Sequence, residues 1–180
     1  MNTNDFLQLR QRVIDAGYGK EIVWQESLKP CDNANDFCYE YIWVVISAGM
    51  KNQIARQIFE RIHETLLSGK GAGSVFHHQG KVTAIDAMWH TYRQKFQAYQ
   101  EADDKLEYLK SLPWIGDITK YHLAKNLGMD VVKPDRHLVR IAKSYHTTPL
   151  ELCQRLSQET RYRIGTVDLI LWRAANLGYI

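Results

Sequence analysis

Residues Leu109 to Arg140, LKSLPWIGDITKYHLAKNLGMDVVKPDRHLVR, carry the densest structural punctuation in the chain. Pro113 fixes one backbone angle and Gly116 permits a positive one, a pairing that turns a chain tightly between helices. The stretch reads as a helix end, a hairpin over Pro113 to Gly116, a second helix ending at Gly128, and a short loop that delivers Asp135 to a further helix. Such a hairpin exposes successive backbone amides at the start of the second helix. Those amides, with the positive end of the helix dipole, can hold a phosphate. The Thr119 hydroxyl, Lys120 and Lys125 stand close enough in sequence to reinforce that contact. A plain pair of antiparallel helices accounts for the hairpin alone equally well.

The continuation adds chemistry. Pro134 precedes Asp135, which stands at the mouth of the next helix, where a carboxylate caps amides for about 1 kcal/mol. A capping carboxylate is also a rigidly held anion. It suits the stabilisation of positive charge developing on a sugar, or the orientation of a water against it. The two readings are compatible.

Working outward, residues 4 to 16 place Phe6, Leu9, Val13 and Ile14 near helical spacing, with Asn4 or Asp5 as a cap. Gly17 and Gly19 break this helix, and residues 22 to 25 read as extended or irregular before Pro30. Residues 36 to 47 are apolar almost all round and suit a buried helix. Ile54, Ile58, Ile62 and Leu66 recur every four residues and predict a helix over 52 to 67. The SGKGAGS stretch at 68 to 74 lacks the Lys-Ser or Lys-Thr ending and the preceding strand of a phosphate loop, and reads as a plain loop. Helices follow over 82 to 99, with Ile85, Met88, Trp89, Tyr92 and Phe96 on one side, and over about 103 to 110. Thr148, Pro149 and Glu151 form a capping box with proline at the first helical position, so a helix over about 149 to 157 is expected. Gly165 and Thr166 open the last one, which runs to 178. No segment alternates as a strand would and no repeat appears. The expectation is an all-α fold, a single domain over 1–180 with two small helical lobes around a cleft.

At 180 residues, 45% hydrophobic and 24% charged, the composition is that of a globular protein, and no apolar run approaches the roughly 18 residues of a membrane span. The N-terminus lacks a charged start followed by an apolar core, and Cys31, Cys38 and Cys153 are odd in number and widely spaced. Both features point to a reducing, intracellular setting with free thiols. Net charge is +3, but residues 105 to 143 hold eight Lys or Arg against four acids, so this segment is +4 and the remainder −1. Positive charge gathers where the hairpin lies, as a polyanion-binding surface requires.

Hairpin, helix, Gly/Pro loop and aspartate, in this order and spacing, resemble the helix-hairpin-helix GPD superfamily of base-excision DNA glycosylases, with an endonuclease III-like fold. The family pattern is approximately Leu-Pro-Gly-Ile-Gly, a helix, and an aspartate some twenty residues on. Here it is Leu112-Pro113-Trp114-Ile115-Gly116, with Asp135 nineteen residues beyond Gly116. Ile46 to Gly49 with its following helix is similar to the family's N-terminal helix pair, and Asp168 to Arg173 to its closing helix. The resemblance covers about residues 36 to 178 and is most specific over 112 to 140.

The resemblance implies a DNA N-glycosylase with Asp135 as the catalytic carboxylate. Trp114, Ile115 and Gly116 would supply amides to DNA phosphate, supported by Thr119, Lys120, Lys125 and Arg136. It implies a wedge at Gly49, Met50 and Lys51 that fills the gap left by an extruded base, and a Na+ or K+ ion at the hairpin backbone of Leu112 and Ile115. Trp114 departs from the family's first hairpin glycine. Ile118 stands where lyase-competent members carry a lysine, and Lys120 lies about 200° further round the helix, so hydrolysis by water is expected. The four cysteines that bind an iron–sulfur cluster in some relatives are missing, and no other cofactor is expected. His77-His78, His63-Glu64 and Cys31 with Cys38 lack metal-ligand spacing. The implied partner is double-stranded DNA carrying a lesion or mismatch, met by a monomer in the cytoplasm (nucleoid-associated) or nucleus, with no membrane involved. The alternatives are a bifunctional glycosylase and abasic-site lyase using a lysine, and a non-catalytic helix-hairpin-helix DNA-binding protein.

Overall fold

The computed structural model describes residues 1–180, which form helices and connecting turns with no strand. The all-α expectation holds. No helix is long and apolar enough to cross a membrane. The chain divides into two compact units, one made of Met1–Pro30 with Ala124–Ile180, the other of Cys31–Leu123.

In the first unit, α1 (Thr3–Val13) starts from a capping box in which Asn2, not Asn4 or Asp5, is the cap and Asp5 its reciprocal partner. A π-helical turn over Ile14–Tyr18 follows, containing Gly17 at φ 93°. The chain then resumes as α2 (Gly19–Ser27). This corrects the irregular segment expected at 22 to 25. The glycines redirect the helix rather than end it, because Ile22 and Gln25, three residues apart, bury one side of the resumed turns. The unit is completed by α8 (Arg136–Ser144), α9 (Pro149–Thr160) and α10 (Ile164–Asn176). Thr148 and Glu151 form the expected capping box at α9, with proline at the start of the helix. The core joins Phe6, Leu9 and Val13 to Leu138, Ile141, Leu152, Leu156 and the apolar face of α10.

In the second unit, α3 (Ala34–Ser47) packs chiefly against α5 (Gln79–Glu101) and α4 (Asn52–Leu67). Phe37 on α3 lies 5.7 Å from the ring of Phe96 and 5.3 Å from that of Tyr99, both on α5. A short 3-10 turn at Ala72–Ser74 and α6 (Lys105–Lys110) complete it, and the division between units falls within α7 (Thr119–Asn126). The three thiols are free.

Candidate functional site

Asp135 is the N-cap of α8, with extended backbone at φ −80° and ψ 173°. Its Oδ1 accepts hydrogen bonds from the amides of His137 (2.9 Å) and Leu138 (3.2 Å). One carboxylate oxygen is thereby locked to the helix, and the other, Oδ2, faces the Lys133 ammonium at 3.8 Å. The side chain is 13% exposed. Burial holds the Lys133 ammonium below the ordinary lysine range, against the opposing pull of Asp135.

The loop that carries Asp135 is fixed at several points. Gly128 closes α7 at φ 84°, and a Cβ there would lie 2.0 Å from the Lys29 carbonyl oxygen, so only glycine fits. The Gly128 carbonyl accepts from Arg163 (2.7 Å), whose guanidinium also donates to Leu28 O (2.6 Å). Asp130 Oδ1 accepts from the Gly165 amide at the start of α10 (2.8 Å). Asp168, 2% exposed, accepts on one oxygen from the Lys133 amide (2.7 Å) and from the Lys125 ammonium (2.8 Å). Burial pushes the Asp168 carboxyl up, while Lys125 and the Lys133 amide pull against it. α10 thus anchors the loop through Gly165 and Asp168, with Arg163 just before its first turn. None of these anchoring roles was read from the sequence. The available signal was Asp168 itself, a lone acid inside the apolar run of α10, which must find a cation when buried.

The hairpin spends most of its own polar groups. The Ile115 amide donates to Leu112 O (3.1 Å), and the Gly116 amide to the Thr119 hydroxyl (2.7 Å), the returning half of a capping box. Pro113 O accepts from the buried Tyr41 hydroxyl (2.8 Å). Two of the three expected amide donors are thereby engaged. The Ile115 and Gly116 amides are used within the turn, and the amides lacking an earlier helical carbonyl are those of Asp117, Ile118 and Thr119. The Asp117 carboxylate stands beside them, 2.6 Å from Lys110. The Leu112 carbonyl accepts from the Ile115 amide and keeps its second lone pair. A Na+ or K+ ion at this turn would be held by backbone carbonyl oxygens and would supply electrostatic support to a nearby phosphate.

Trp114 has φ 64°, a left-handed conformation that glycine adopts freely and other residues rarely do. Its indole Nε1 donates to Gly80 O (2.9 Å) and its ring meets His78 edge-on with centroids 4.9 Å apart. A Cβ at Gly80 would come within 2.6 Å of the indole. The ring is pinned at the start of α5 yet remains 47% exposed.

Lys120 and Lys125 are not free cations. Lys120 is 8% exposed and bonded to Glu107 at 2.5 Å, which holds its ammonium above the ordinary range. Lys125 is 7% exposed and committed to Asp168. Arg136, by contrast, is exposed at the first turn of α8.

The turn at 48 to 51 has Gly49 at φ 76°, with Gly49 and Lys51 exposed and Met50 half-buried. Buried Lys81 secures its base, donating to Ala48 O (2.9 Å) and Ile46 O (3.4 Å) at the C-terminus of α3. Among the aromatic residues, Tyr41 belongs to the core, while Tyr39, Trp43, Trp89, Tyr92 and Trp172 are half-buried. Tyr39 bonds His63 (3.0 Å) and Trp89 stacks on Tyr92 with centroids 6.0 Å apart.

No protein-family model, curated protein or solved structure matches the chain.

Proposed function

We propose that the chain is a DNA N-glycosylase that removes a damaged or mismatched base by hydrolysis, with Asp135 as its catalytic carboxylate. The observation that carries this reading is the state of Asp135. One oxygen is clamped by two helix amides, and the other is unclamped beside a single cation, on a loop anchored by α10. A preorganised anion of this kind stabilises charge in a transition state without reorganising to do so.

The chemistry follows from that placement. The bond between the base nitrogen and C1′ lengthens, positive charge builds on the sugar, and Asp135 Oδ2 lies opposite that charge. Water adds to C1′, its proton passes to the departing base, and a hydroxylated sugar and a free base result. Extrusion of the base costs a few kcal/mol, least for a damaged or mismatched pair. In this reading the turn at Gly49 to Lys51 fills the vacated stack, and the amides of Asp117 to Thr119 meet a phosphate at the hairpin.

A lysine-dependent lyase using Lys120 is disfavoured, because that amine is paired with Glu107 and held protonated. A panel of duplexes carrying alkylated purines, oxidised purines, uracil, mismatched thymine or mispaired adenine tests the proposal, each assayed with and without alkali. The expected result is strand cleavage that appears only after alkali on at least one substrate. Cleavage without alkali would replace hydrolysis with a lyase, and inertness on every substrate would leave a binding protein.

A further inference from the structure

Folding engages most of the cations gathered around the hairpin. Of the eight cations between residues 105 and 143, Lys105 donates to the carbonyls of Tyr99 and Gln100, both at 3.0 Å. Lys110 pairs with Asp117, Lys120 with Glu107 and Lys125 with Asp168, and Lys133 is withdrawn beside Asp135. The remaining three, Arg136, Arg140 and Lys143, all lie on α8.

Their arrangement is regular. At about 100° per residue these three side chains leave α8 within an arc of about 60°, spread over about 10 Å of its length. The opposite side carries Leu138, Ile141 and Ala142, all buried. The outer stripe contains no acid, and its one apolar member is exposed Val139. Arg140 donates to Ile180 O (2.9 Å), whereas the side chains of Arg136 and Lys143 make no hydrogen bond or ion pair. Glu151, on the far side of the shallow groove that Lys143 and Val139 line, turns its carboxylate to Thr147 and Thr148.

We infer that the outer face of α8, through Arg136, Arg140 and Lys143, is the surface that grips the phosphate backbone of duplex DNA, in place of the lysines of the hairpin and α7. This rests on the DNA reading above and relocates its principal electrostatic contact. A duplex presents one negative charge per roughly 1.7 Å of its axis, so a 10 Å row of cations without an acidic side-chain partner, on a rigid helix, is a matched surface, and each phosphate neutralised releases counterions. The row starts one residue after Asp135, so a backbone held there would present its sugars to the carboxylate.

Binding of a fluorescent duplex of about 20 base pairs, measured between about 50 and 200 mM salt, tests the inference on Arg136→Gln, Lys143→Gln and the double variant. Lys20→Gln, an exposed cation on α2, serves as the reference. All three substituted positions are at the surface, and thermal melts check that folding is intact. The slope of log affinity against log salt should fall by about 1 for each α8 substitution and about 2 for the double variant, with Lys20→Gln unchanged. Wild-type slopes in the α8 variants would overturn the assignment and leave the DNA reading standing. Absence of salt-dependent duplex binding by the wild type would overturn both, and preference for polyglutamate over duplex would give the face to an acidic protein partner instead.

Discussion

Trp114 and Gly80 illustrate how a bulky residue in a left-handed turn obliges a glycine elsewhere. A left-handed backbone costs a side-chain-bearing residue roughly 1–2 kcal/mol, and the indole offsets this by its bond to Gly80 O and its contact with His78. Gly80 must then lack a Cβ. Gly80→Ala should destabilise the wild type by about 1–3 kcal/mol through overpacking. In a Trp114→Gly background the same change should become neutral or stabilising by up to about 1 kcal/mol, since alanine is the better helix former. Urea midpoints of the four proteins measure this coupling, and additive effects would show that the indole and Gly80 are independent. At Asp135 the capping role and the proposed catalytic role separate by substitution. Asparagine retains an oxygen for the His137 and Leu138 amides, whereas Asp135→Ala should lose about 1 kcal/mol of stability whether or not the protein is an enzyme.

At the scale of elements, the loop between α7 and α8 is held from α10, and its most costly joint is the buried pair of Lys125 and Asp168. Asp168→Asn keeps an acceptor for the Lys133 amide but strands a buried ammonium, a change that costs about 3–5 kcal/mol. Adding Lys125→Met should recover most of that loss, because the penalty belongs to the unpaired charge. Chemical denaturation of the two variants checks this, and equal instability in both would assign the cost to the Lys133 contact instead. The start of α9 carries a pH signature. Bonds from the Thr148 amide and the Thr148 and Thr147 hydroxyls hold the Glu151 carboxyl below the usual carboxylate range. A depressed acid contributes stability that is whole above its unfolded value of about 4.3 and disappears as pH falls through the lower folded value. The difference in melting temperature between the wild type and Glu151→Gln should therefore be constant from neutrality to about pH 5 and close below it. A difference unchanged at pH 2 would mean that the charge is not what caps α9.

For the whole molecule, what could be read from the sequence was what is local in the chain. The Thr148–Glu151 box, the four-residue repeat in α4, the closing role of Gly128 and the capping position of Asp135 each depend on residues within a turn of one another. The helix at Gly19–Ser27 was lost because two glycines mimic a terminus, and only the burial of Ile22 and Gln25 favours resumption. The charge surface was misread for a related reason. Counting cations in a segment ignores their partners, and Asp168 lies 43 residues from Lys125, so the pairing that removes Lys125 from the surface is set by tertiary structure. Trp114 left a similar gap. Its tolerance depends on Gly80, which nothing in the hairpin indicates.

In the proposed reading Asp135 performs the chemistry. Its most direct test is single-turnover base release by the wild type and by Asp135→Asn, on whichever lesion-bearing duplex the wild type processes, with duplex affinity and melting temperature measured in parallel. Loss of an electrostatic stabiliser of the transition state lowers rates by about 10²–10³, so release should fall by at least a hundredfold while binding and stability stay at wild-type values. Release at the wild-type rate by Asp135→Asn would mean that another group performs the chemistry.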